Sequence, residues 1–173
     1  MKDTPAVRLL GATDGSAVFG FLSRLSPTTL HLRYLTPQTS LVGPLADREA
    51  QRLLDGDADR HVVVVADDAA EIRGIGEFVV DPSGESAELA LVVEDRYQRR
   101  GIGQMLYAQL EQLARQLGIA QFTGDVAYGN PLVLRLLRRT GQCLRLDYDY
   151  AAMRFTLTLA RQVHQPGAPI QRL

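Results

Sequence analysis

The chain has 173 residues and a mass of 19.0 kDa, the size of one ordinary domain. Apolar residues make up 46% and charged residues 23%, a globular mixture that excludes wholesale disorder. Nineteen Lys and Arg against twenty Asp and Glu leave a formal charge of -1, so global charge gives no reason to expect nucleic acid or an anionic membrane as partner.

Val7 to Leu10 reads as a first strand. Thr13-Asp14 offers a helix cap before the spacing of Val18, Phe19, Phe21, Leu22 and Leu25. Ser26 reads as the cap of a second helix with Pro27 at its first position, and a third helix is expected over Asp47 to Leu54. His61 to Ala66 is a continuous run dominated by valine, the mark of a buried strand. Ile72 to Val80 and Ala87 to Val93 follow as strands, the two separated by the turn signal Asp81-Pro82-Ser83-Gly84. The apolar stripe Met105, Leu106, Leu110, Leu113 and Leu117 predicts a helix from Gln104 to Leu117, stopped by Gly118. A strand near Ile119 to Val126 leads to a helix opened by Asn130-Pro131 and ended by Gly141. Cys143 to Tyr148 and Met153 to Leu159 read as closing strands. The domain is expected to span residues 1–160, and the tail from Arg161 to Leu173 reads as a frayed segment or a contact arm.

No apolar run approaches the ~20 residues that span a bilayer, and the N-terminus lacks the apolar stretch of a secretion signal. One cysteine, Cys143, makes neither an internal disulfide nor a zinc site. The expectation is a soluble cytoplasmic protein without a metal or a membrane partner.

The most informative segment is Gln98-Arg99-Arg100-Gly101-Ile102-Gly103, between a strand and an amphipathic helix. Glycines at such a junction let a ligand approach the backbone, and the free N–H groups of the helix's first turn suit phosphate. A dinucleotide fingerprint would need a third glycine where Leu106 stands, and no Gly-Lys-Ser/Thr run supplies a P-loop.

Glu88-Leu89-Ala90-Leu91-Val92-Val93 leading into that turn resembles the signature region of the GNAT N-acetyltransferases. The strand to Val126 and the Asn130-started helix resemble that family's next motif in order and spacing. The resemblance implies an α/β fold with a mixed, mostly antiparallel central sheet flanked by helices, and a splayed strand pair that holds acetyl-CoA. It implies that backbone groups of Leu91, Val92 and Val93 pair with the pantetheine arm, and that the N–H groups of Gln98, Arg99, Arg100, Gly101, Ile102, Gly103 and Gln104 hold the pyrophosphate. Asn130 would reach the cofactor from the second helix, a role compatible with being a plain N-cap.

Acetyl transfer to an amine needs a base, because a lysine with a reference pKa of about 10.4 is protonated at neutral pH. Glu88 is the first choice: partial burial in an apolar strand would raise its pKa. The pattern also resembles bacterial GNAT protein-lysine acetyltransferases, in which a glutamate on this strand plays that role. Ser26-Pro27-Thr28-Thr29-Leu30-His31-Leu32-Arg33-Tyr34 is similar to a segment near the start of those enzymes. Glu77, on the neighbouring strand, is the second choice, and a bulge would change which of the two faces the cleft. His31 and His61 carry less weight. Leu137 stands where many family members carry a tyrosine acid, which leaves water or free thiolate departure. The acceptor is a protein lysine or a small amine. A non-catalytic acyl-CoA sensor is the competing reading, and a homodimer is compatible with the closing strands.

Overall fold

The computed structural model describes residues 5–35, 37, 40–57, 59–68, 71–140, 143–149 and 152–159. The helix stop expected at Gly141 and the tail from Arg161 lie outside them, as does the side chain of Cys143. The strands are β1 (Ala6–Leu9), β2 (His61–Asp68), β3 (Glu71–Val80), β4 (Ser86–Val93), β5 (Gln121–Ala127), β6 (Cys143–Tyr148) and β7 (Ala152–Thr158). The helices are α1 (Gly15–Ser23), α2 (Pro27–Tyr34), α3 (Pro44–Leu54), α4 (Ile102–Gln116) and α5 (Pro131–Arg139). The strands form one sheet in the order β1-β2-β3-β4-β5-β7-β6, antiparallel except for β4 with β5. The expected mixed sheet flanked by helices is therefore present.

Local chemistry starts α2, α3 and α5, whereas Asp14, expected to cap α1, makes no side-chain cap there and instead accepts from the Gly11 N–H at 2.7 Å and pairs with Arg8. Ser26 is extended, its hydroxyl accepts from the Thr29 N–H at 3.2 Å, and Pro27 occupies the first turn of α2. Asn130 caps α5 in the same way, ahead of Pro131. The start of α3 lies three residues before the expected Asp47. Pro44 sits in its first turn, where a missing N–H costs nothing.

The valine run of β2 is buried on both faces. Val62 and Val64 join Phe78, Leu106, Leu110, Phe122 and Leu157 under α4 and α5. Val63 and Val65 join Phe21, Leu22, Leu30, Leu53 and Ile75 under α1, α2 and α3. Each such side chain contributes roughly 1.5–3 kcal/mol on burial.

The buried face of α4 differs from the expected stripe. Ile102, Leu106, Tyr107, Leu110 and Ala114 are buried, whereas Met105 and Leu113 are only half-buried and Leu117 is 39% exposed. The reason lies in β3. A Cβ on Gly74 would stand 3.0 Å from Leu106 and 3.1 Å from Ile102, and one on Gly76 would stand 2.8 Å from Leu110. The two glycines make a groove, and the i, i+4 row of α4 settles into it.

Candidate active site

The site is built where two parallel strands part. β4 and β5 face each other only from Ser86–Gln121 to Glu88–Thr123, then separate. Just past the vertex, a Cβ on Gly124 would lie 2.9 Å from the Leu89 carbonyl oxygen and 2.7 Å from the Phe155 ring. Only a glycine lets the strands approach that closely before they diverge.

The β4–β3 register runs without interruption from Val80–Ala87 to Gly74–Val93; the register shift lies between β2 and β3, where Ala66 and Asp67 face Gly74 and Ile72 and leave Arg73 as the extra residue of β3. The Glu94 N–H donates to the Arg73 carbonyl at 2.9 Å. By alternation, the backbone groups of Ala90 and Val92 turn to β3, and those of Leu89, Leu91 and Val93 turn to the gap. Val92 is therefore not a backbone partner for a molecule lying in the gap, contrary to expectation. Leu91 and Val93 are placed to be.

The gap opens into a cleft of about 630 Å³ between α2, β4, the 98–104 turn and α5. Gly101 caps α4 at φ 88°, and Arg99 is left-handed at φ 60°. No acceptor among the described residues takes the N–H groups of Arg99, Arg100, Gly101, Ile102 or Gly103. Gln98 and Gln104, also expected in this set, already donate to Asp95 O at 3.3 Å and Gly101 O at 3.0 Å. The side chain of Gln98 instead fastens the turn, donating to Thr29 Oγ1 and Val93 O at 3.1 Å each. Asp95 completes the fastening by accepting from Ser26 Oγ at 2.5 Å and Thr29 Oγ1 at 2.9 Å. Partial burial opposes the Asp95 charge, yet these hydrogen bonds from α2 hold its carboxyl below the usual range.

Arg99, Arg135 and Arg139 line the same cleft, and no carboxylate among the described residues pairs with them. In the sequence, Arg135 and Arg139 carry no signal beyond their place toward the C-terminal end of α5, where cations complement the helix dipole. One helical turn apart, they share its cleft-facing side with Leu132 and Leu136. The Arg100 guanidinium does not line the cleft and lies 5.0 Å from the centroid of the Tyr97 ring. Asn130 lines the cleft while its side-chain oxygen accepts from Val133 N at 3.4 Å. A free strand edge, five unpaired N–H groups and three unpaired cations fit an elongated ligand with amides along one arm and phosphates at its end.

The two carboxylates lie on one face of the sheet in opposite circumstances. Glu88 lines the cleft beside the vertex and is exposed, not partly buried as expected. Ala87 and Leu89 point into the core under α4, so Glu88 points the other way, beside the exposed Val79. Glu77 is 4% exposed and does not line the cleft. Its carboxylate bonds to Arg33, to Arg52 at 2.7 Å and 2.9 Å, and to His61 Nε2 at 2.6 Å. Burial pushes the Glu77 carboxyl up, but the hydrogen bonds from His61 and Arg52 and the charges of Arg33 and Arg52 outweigh it and hold it at about 2. A carboxylate with that pKa is a poor proton acceptor near neutrality.

Leu137 is fully buried. Tyr107 packs edge-on against Phe122 outside the cleft, and the Tyr128 hydroxyl donates to the backbone of Asp149. No tyrosine on α5 faces the gap. Residues that sequence reasoning left without a role here are Tyr34 and Arg33, which form the α2 wall of the cleft. The Tyr34 hydroxyl donates to Glu49 at 2.9 Å, and burial pushes its pKa up.

The family model described as the acetyltransferase (GNAT) family matches residues 29–141, well over half of the chain. The chain belongs to the GNAT acetyltransferase family. As a member it is an acyltransferase, with acetyl-CoA the cosubstrate that the cleft fits. Solved structures of similar fold include the GNAT domain of PAT from S. lividans, with a TM-score of 0.79 and 20% identity over 88% of this chain and 89% of that one. The phosphinothricin acetyltransferase of Sinorhizobium meliloti, in complex with AcCoA, has a TM-score of 0.70 and 17% identity over 95% and 94% of the two chains. The PaiA N-acetyltransferase of Thermoplasma acidophilum, in complex with coenzyme A, has a TM-score of 0.66 and 14% identity over 90% and 99%.

Proposed function

We propose that this GNAT domain acetylates a primary amine carried by a protein lysine, with Glu88 taking the proton. The observation that carries the reading is the position of Glu88: a carboxylate at the vertex of the splayed strands, on the wall of the cleft and reachable from outside. An ammonium arriving there loses a proton to Glu88, directly or through water. The freed amine then attacks the thioester carbonyl, the C–N bond forms, the C–S bond breaks and coenzyme A leaves as its thiolate, while the second proton on the nitrogen passes to water or to that thiolate and leaves the neutral amide. Leu89, Leu91 and Val93 offer backbone groups to the pantetheine amides. The N–H groups of residues 99–103, with Arg99, Arg135 and Arg139, hold the phosphates. An exposed base suits an acceptor that comes as part of a larger surface better than one that must be enclosed.

The test is thiol release from acetyl-CoA with protein lysines, free amino acids and polyamines as acceptors. Turnover on lysine-bearing protein is expected. Turnover only on free amino acids or polyamines replaces the acceptor class, and tight acetyl-CoA binding without turnover on any amine favours the sensor reading.

The arginines give a separate expectation. Replacing Arg135 and Arg139 together with Ala raises the dissociation constant of coenzyme A about tenfold, more at low ionic strength. Pantetheine, which has no phosphate, binds that variant as well as it binds the wild type. Calorimetric titration of both ligands measures the difference.

A further inference from the structure

β6 is an outer strand of the sheet and, among the described residues, pairs only with β7. Its bonding direction follows from Asp149, whose N–H donates to the Ala152 carbonyl at 3.0 Å. Alternation along the antiparallel pair turns the backbone groups of Cys143, Arg145 and Asp147 to β7. Those of Leu144, Leu146 and Tyr148 turn outward. An outward row of N–H and C=O groups is a template for another strand. At its end the Tyr148 side chain is 70% exposed. Arg145 and Asp147, two residues apart and so on one face, pair with each other at 3.1 Å while 75% and 50% exposed.

We propose that this edge pairs antiparallel with β6 of a second copy of the chain, about a two-fold axis through Leu146. That axis sets Arg145 opposite the partner's Asp147, and by symmetry Asp147 opposite the partner's Arg145. Leu144 lies opposite the partner's Tyr148. The outward groups of Leu144, Leu146 and Tyr148 then meet as hydrogen-bonded pairs, which is what their direction requires. Charge selects this register over its neighbours. An axis through Arg145 sets arginine against arginine, and one through Asp147 sets aspartate against aspartate, each a destabilising cross-strand pair. An axis between residues would set side chains of opposite faces against each other. The other outer strand, β1, has four residues and offers a shorter edge. This pairing does not depend on which amine is acetylated.

Sedimentation of the full chain tests it through charge reversal. The wild type is expected to be a dimer. Arg145→Asp or Asp147→Arg alone opposes like charges at two symmetric places and raises the dimer dissociation constant about tenfold or more. The double variant R145D/D147R restores opposite charges in every pair and returns the constant to near the wild-type value. Neither residue lines the cleft, so acetyl-CoA binding stays unchanged in all three and reports an intact fold. A wild type that remains monomeric at ~100 μM overturns the proposal. So does a dimer indifferent to the single reversals, or one that the double reversal fails to restore.

Discussion

Glu88→Gln lowers the turnover of acetyl transfer by roughly 10²- to 10⁴-fold while leaving the affinity for acetyl-CoA unchanged. The substitution keeps the size and shape of the side chain and removes its capacity to accept a proton. Glu88 lies at the strand vertex, whereas the unpaired N–H groups proposed to hold the phosphates lie at the start of α4, so the two properties separate. Because Glu88 is exposed, the amide leaves no buried group unsatisfied and stability stays near that of the wild type. Thiol-release kinetics together with calorimetric titration of acetyl-CoA measure both. Equal turnover in the variant would make Glu88 an ordinary solvent-facing strand residue, with the amine proton passing to water.

Glu77 carries the opposite expectation. Glu77→Ala removes the shared partner of Arg33, Arg52 and His61 and leaves cations facing one another beneath the sheet. Breaking a buried ion pair from one side typically costs 3–5 kcal/mol; here roughly 3 kcal/mol is expected, because Arg52 keeps Glu49 at 2.8 Å and reaches water. Denaturant unfolding measures that loss. The wild type shows the same contact through pH. The folded-state pKa of Glu77 is held at about 2, below its ordinary 4.5, so its stabilisation is complete above about 4.5 and is lost as pH falls toward 2. E77A lacks that increment of the acid transition. Its turnover per folded molecule falls far less than that of E88Q, since Glu77 neither lines the cleft nor holds a proton-accepting pKa near neutrality. A collapse of turnover in a well-folded Glu77 variant would reverse the roles of the two carboxylates.

Much of this was legible in the chain because it depends on neighbours in sequence. Ser26-Pro27 and Asn130-Pro131 start helices through their own side chains and a ring that needs no N–H. The valine run of β2 announces a strand covered on both faces, and Gly101 marks the tight turn into α4 through a left-handed backbone.

What the tertiary structure alone decided depends on which surfaces meet. Gly74 and Gly76, on a strand well before α4 in the chain, selected its Ile102–Leu106–Leu110 row over the expected stripe. Glu77 and Glu88 share a sheet face and an acidic side chain. They differ because α2 and α3 bring Arg33 and Arg52 to one, while the other is exposed on the cleft wall. Arg135 and Arg139 became cleft residues only through the orientation of α5 across the gap. Likewise, Arg145 and Asp147 became an edge pattern only because β7 inserts between β5 and β6 and leaves β6 outermost. Capping, turns and periodicity are local energies that a short window of sequence contains. Burial, charge pairing and the direction of a free strand edge are set by residues far apart in the chain, and only packing brings those together.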